Sequence, residues 1–151
     1  MTLAQELLDR IAGLLNRDAT NYTVFLRLYQ MSIAGGGDDP RAYIHKALGA
    51  DIEIGDVEKI GEADLLAELD ELIRFAGDPG AGPNDSVLKS EELSDALIEL
   101  NRSVSELANQ AKRIDRFWLK AGHPAYPVFW DFAYIFLKGE AATILIGSSS
   151  D

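Results

Sequence analysis

Two side chains are placed for acid–base chemistry: a carboxylate inside an aromatic run, and a histidine eight residues before it. Asp131 lies within residues 126–137, YPVFWDFAYIFL, and His123 stands between Gly122 and Pro124. A carboxylate among aromatics must be paired, hydrogen-bonded or open to a solvated cleft, because burying an unpartnered charge is expensive. In a cleft it would be a catalytic or ligand-orienting acid with a raised pKa. On an outer face, or paired with an arginine such as Arg116, it does no chemistry. His123 would need an orienting acid to act as a general base, and Asp131 is the nearest in sequence. Capping of a preceding helix is the plainer explanation of the histidine and needs no chemistry. His45, beside Tyr43 and Lys46 on a short helix, has the same standing. Trp118, Trp130 and Tyr134 would supply the apolar wall of such a cleft.

A metal centre is not indicated. The two histidines have no partner at HxxxH or ExxH spacing, and there is no cysteine to supply a thiolate. Asp51, Glu53, Asp56 and Glu58 carry carboxylates at roughly alternate positions, but no twelve-residue calcium loop with its central glycine fits over them. A charged strand edge that discourages pairing accounts for them better. The chain contains no GxGxxG, GxxxxGK[ST] or GxSxG motif, so no cofactor is expected. Ser148–Ser150 read as a short low-complexity tail.

Charge offers a second line. The chain has 151 residues and a net charge of −11, and the imbalance is local. Residues 51–100 carry −12, while residues 1–50 are neutral and 101–151 carry +1. Such a field repels phosphate and speeds encounter with a basic protein. Asp51, Glu53, Asp56, Glu58 and Glu62 are the candidate contacts. A solvated helix face is the plainer explanation. The bases Lys112, Arg113, Arg116 and Lys120 could hold a phosphate, though compensation of a helix dipole suffices, and nucleic acid is not an expected partner.

These residues need a frame. An apolar fraction of 47% and a charged fraction of 26% are those of an ordinary globular chain, and the length suits one domain over 1–151. The absence of cysteine and of a signal-like or membrane-spanning run fits a cytoplasmic protein without membrane contact. Residues 126–146 form the most apolar stretch and predict a β-hairpin turning at Lys138-Gly139-Glu140. Trp130, Phe132, Tyr134 and Phe136 share one face of its first strand, and Phe129, Asp131, Ala133, Ile135 and Leu137 the other. Both faces should therefore be covered, or one should line a cleft.

Helices are expected over 2–15 with Thr2 as cap, over 39–48 between Asp39-Pro40 and Gly49, and over 62–76. Residues 22–34 fit a helix, although their β-branched and aromatic content also suits a strand. Residues 51–60 suit an edge strand or an extended connection. Residues 77–86, GDPGAGPNDS, are a loop, the best candidate for a mobile one. The longest helix is expected over 91–121, capped by Ser90. Leu93, Leu97, Leu100, Val104, Leu107, Ala111, Ile114 and Trp118 make a heptad seam along it that could pair with a second copy, although packing against the chain's own first and fourth expected helices is the plainer expectation.

The frame expected is α+β: about five helices packed on a small antiparallel sheet centred on the C-terminal hairpin. Two functions suit it. One is an acidic, non-catalytic binding protein, such as an inhibitor or immunity-type protein that neutralises a basic partner. The other is a small enzyme or ligand-binding domain with an aromatic cleft between the long helix and the hairpin.

Overall fold

The computed structural model describes residues 2–151. Five helices and five strands follow in chain order: α1 (Gln5–Asn16), β1 (Thr23–Ser32), α2 (Pro40–Leu48), β2 (Glu53–Lys59), α3 (Glu62–Ile73), α4 (Asp85–Leu88), α5 (Glu91–Gln110), β3 (Arg113–Ala121), β4 (Trp130–Lys138) and β5 (Ala141–Ser150). The strands form one sheet in the order β1-β5-β4-β3-β2, with every neighbouring pair antiparallel. The expected α+β frame is the one observed. The hairpin β4–β5 stands at its centre, closed by Gly139-Glu140 with Gly139 at φ 62°.

The alternation in β4 divides the core. Trp130, Phe132, Tyr134 and Phe136 pack with Leu8, Ile11 and Leu15 of α1, Leu65 and Leu69 of α3 and Leu93, Leu97 and Leu100 of α5. Ala133, Ile135 and Leu137 point the opposite way, into a cluster with Tyr43 and Ile44 of α2 and Phe117 of β3. Both faces of the hairpin are covered, as its doubly apolar pattern requires. Each fully buried side chain of this size contributes roughly 1.5–3 kcal/mol.

Three expectations are corrected. Residues 22–34 are not a helix: β1 pairs with β5 over its whole length. Val24, Leu26 and Leu28 face one core cluster while Phe25, Tyr29 and Met31 face the other. A strand apolar on both faces carries enough hydrophobic positions to imitate a helical stripe, and partner strands settle the matter.

The long helix stops at Gln110, Ala111 turns extended (φ −77°, ψ 142°), and β3 follows. Ser90 does cap α5, its side chain accepting from the Leu93 N–H. The seam residues Leu93, Leu97, Leu100 and Val104 are buried against the chain's own α1 and α3. Ile114 and Trp118 seemed to continue that seam because a spacing of four is also even, and so lies on one face of a strand. The bases at 112–120 therefore compensate no helix dipole, and α5 has no base in its last turn.

The third concerns the ends. α1 begins at Gln5 with Ala4 before it and no side-chain cap, so Thr2 is not its cap. The first hairpin strand begins at Trp130; Tyr126 is 80% exposed in the loop before it. Ser148 and Ser149 are not a tail but fully buried members of β5. The 77–86 loop is tied to residue 20 by Thr20 N–H to Gly82 O (3.0 Å) and Gly82 N–H to Thr20 O (2.8 Å), and α4 begins at its end.

The two sheet edges differ. On β1, Asn16 Nδ2 donates to Val24 O (3.2 Å) and Asn16 Oδ1 accepts from Val24 N–H (2.7 Å). Gln5 Nε2 donates to Leu26 O (3.0 Å) and Gln5 Oε1 accepts from Leu28 N–H (2.8 Å). Lys46 of α2 donates to Ser32 O. On β2 no described side chain covers the outer edge in this way.

Candidate acidic cleft

Strands β3 and β4 are paired only from Arg113↔Leu137 to Arg116↔Tyr134. Beyond that point β3 continues along β2 while β4 continues along β5, so the sheet opens. The opening is a cleft of about 410 Å³. Asp56 and Glu58 of β2 line it, with Glu68, Glu71 and Leu72 of α3, Arg116, Phe117 and Trp118 of β3, and Asp131, Phe132 and Ala133 of β4. Five carboxylates face it and one guanidinium.

Arg116 organises the inner wall. Its Nε donates to Glu58 Oε1 at 3.0 Å, and Nη2 donates to the same oxygen. Its Nη1 donates to Glu68 Oε2 at 2.5 Å. The other oxygen of Glu68 accepts the Tyr134 hydroxyl at 2.5 Å. The register places Glu58 directly opposite Arg116, which is why this acid is the one that pairs. Hydrogen bonding to Glu58, and then to Glu68, raises the Arg116 pKa against the opposing effect of burial. Tyr134 is held as a neutral donor: burial raises its pKa far above the usual phenol value, and the neighbouring Glu68 carboxylate adds to it.

Asp131 is exposed, on the opposite face of β4 from Phe132. Its carboxylate makes no hydrogen bond or ion pair among the described residues, and Arg116 belongs to Glu58 and Glu68 instead. The fully buried carboxylate of the sheet is Asp115, which accepts from Arg113 Nε (2.7 Å) and Nη2 (3.2 Å). Trp118 is 44% exposed at the cleft wall. Its indole lies on Gly55, where a Cβ would come within 2.3 Å of the ring. Gly55 and Asp56 of β2 together face this one tryptophan in a β-bulge, and Asp56 lines the opening.

The other aromatic candidates lie elsewhere. Trp130 is buried, with Nε1 donating to Tyr22 Oη at 2.7 Å. Trp130, Phe132 and Tyr134 stack in succession at 5.9 and 5.4 Å between ring centroids, as a core ladder. Tyr134 reaches the site only through Glu68. His123 does not follow a helix but lies in the β3–β4 loop, outside the cleft lining. Its Nδ1 accepts from the Ala125 N–H at 2.9 Å, so the ring proton resides on Nε2, which is buried with no partner among the described residues. Burial lowers the His123 pKa, and the Asp131 charge opposes that shift. His45 lies on α2, where Nδ1 is 3.3 Å from Gly49 O.

Of the acids singled out in the sequence, Asp56 and Glu58 are in the cleft. Asp51 and Glu53 are exposed beside it in chain order, while Glu62 accepts from Ser105 Oγ at 3.3 Å. Glu68 and Glu71 were not singled out. Their signal was their place three residues apart on one side of α3, with Glu68 flanking the apolar stripe of Leu65 and Leu69 and Glu71 turned to solvent. Among the described residues no three His, Asp or Glu side chains are placed to hold a metal ion, and no helix is long and apolar enough to cross a membrane.

The architecture is thus that of an α+β protein whose central sheet is split to form an acidic, partly aromatic cleft. The crystal structure of citrus MAF1 is similar in fold, with a TM-score of 0.50 at 15% identity over 95% of this chain and 99% of that one. The chain matches no protein-family model and no curated protein sequence.

Proposed function

We propose that this chain is an acidic, non-catalytic binding protein that receives a basic protein partner at the split of its sheet. The observation that supports this most is the charge balance of the cleft. Arg116 neutralises part of Glu58 and Glu68, while Asp56, Glu71 and Asp131 form no ion pair among the described residues. A lysine or arginine entering there would meet unpaired carboxylates and the exposed face of Trp118, an arrangement that favours a cation. An inhibitor or immunity-type protein, covering a basic partner, is the concrete form of this reading. The wide −12 field of residues 51–100 would steer the encounter.

The enzyme reading draws less support. It requires His123, Asp131, Trp130 and Tyr134 to converge with Trp118, and only Asp131 and Trp118 line the cleft.

The test is affinity capture with the full chain at low and high salt, run beside the charge-neutral variant Glu71→Gln/Asp131→Asn. A basic protein held by the wild type at low salt, released at high salt and lost by the variant, supports the proposal. A partner held equally by both forms at every salt concentration overturns it.

A further inference from the structure

The proposed partner leaves open how its chain is held, and the unequal sheet edges bear on this. Backbone groups of an antiparallel strand point alternately to its two sides. Ile60 N–H donates to Ile114 O, and Lys59 is registered on Asp115. The backbone of Glu58 and Ile60 therefore faces β3, and that of Val57 and Lys59 faces outward. No described residue bonds those outward groups. On β1 the equivalent groups of Val24, Leu26 and Leu28 are occupied by Asn16 and Gln5.

The open edge is also selective. A second copy adding its own β2 would bring Glu53, Asp56 and Glu58 against like charges, which opposes self-pairing. A strand bearing lysine or arginine would meet the same acids as cross-strand neighbours. Beyond the bulge, Val57–Lys59 is regular again, so the added strand need be only a few residues long.

We propose that a basic, extended segment of the partner adds as a sixth strand to the outer edge of β2, hydrogen-bonded to Val57 and Lys59. The inference rests on the binding reading above and specifies its geometry. Main-chain bonds would supply affinity, and the alternate cationic side chains would supply selectivity through Asp56 and Glu58.

The probe is an octapeptide alternating lysine and valine, with a glutamate–valine octapeptide as control, added to the isotopically labelled full chain. Amide exchange at Val57 and Lys59 should slow by about tenfold or more with the basic peptide and not with the acidic one. Lys59→Pro removes one outward N–H and no bond to β3, and proline is tolerated at such edge positions. It should weaken binding by about tenfold even though it makes the protein more acidic. Unchanged exchange at Val57 and Lys59 at saturation overturns the proposal, whatever the variant does. Binding that survives in Lys59→Pro but is lost in Glu71→Gln/Asp131→Asn overturns strand addition and leaves the cleft reading standing. Failure of the basic peptide to bind at millimolar concentration overturns strand addition as well; the cleft reading is then decided by the salt-dependent capture alone.

Discussion

Asn16 holds both backbone polar groups of Val24, donating to its carbonyl at 3.2 Å and accepting from its N–H at 2.7 Å. One carboxamide, at the last position of α1, thereby does the work of a neighbouring strand. Gln5 does the same eleven residues earlier for Leu26 and Leu28, because α1 runs along β1. An unpaired ten-residue edge would otherwise template association.

Removing these plugs should cost both stability and solubility. Asn16→Ala and Gln5→Ala are each expected to lower unfolding free energy by about 1–2 kcal/mol, two hydrogen bonds to the edge of β1 being lost in each case and, for Gln5, an exposed one to Asp9 as well. The double variant should also self-associate. Urea denaturation and sedimentation velocity check the two effects, and a fully monomeric double variant would refute the guarding role.

Arg113 and Arg116 sit three residues apart and should behave very differently. Asp115 has no exposed surface, so Arg113→Met strands a buried carboxylate and is expected to cost about 3 kcal/mol. Arg116 and Glu58 are both substantially exposed, so Arg116→Met should cost about 1 kcal/mol or less. Denaturation midpoints of the two variants decide it; equal losses would contradict this assignment.

His123 should make the fold sensitive to acid. Its folded-state pKa lies below 6.5, so the unfolded chain takes up the proton first. Its contribution is intact above about 6.5 and is lost as pH falls from there through the folded value. His123→Asn keeps an acceptor for the Ala125 N–H and removes the titration. Unfolding free energy measured across this range should fall less steeply for the variant, and identical slopes would exclude His123 as a source.

Gly55→Ala tests the cleft wall. The added methyl cannot coexist with the present position of Trp118, whose ring must move outward. The emission of Trp118 should shift to longer wavelength, while stability changes by less than about 1 kcal/mol because the ring is free to leave. Trp130 is buried and should report no change, which a Trp118→Phe background would verify. Unaltered Trp118 emission would show that the indole does not rest on Gly55.

Local chemistry settled much of the frame from sequence alone. Asp39-Pro40 and Gly49 bounded α2, Ser90 started α5, and alternation about Gly139 gave the central hairpin with its two covered faces. The clustering of acids in residues 51–100 was equally plain. What sequence left undecided was every choice that depends on a distant strand. Residues 23–32 and 113–121 became strands because β5, β2 and β4 receive them, and their apolar spacing alone suited either structure. The cleft is of the same kind. It exists because β3 and β4 part after Arg116 and Tyr134, which no local pattern encodes. That parting leaves Asp131 exposed, whereas the paired stretch before it encloses Asp115 and brings Glu58, Glu68 and Tyr134 around one arginine from four separate elements. Caps, turns and periodicity act within a few residues and can be read from the chain; register and burial of charge are decided between elements, where only the tertiary structure specifies the neighbours.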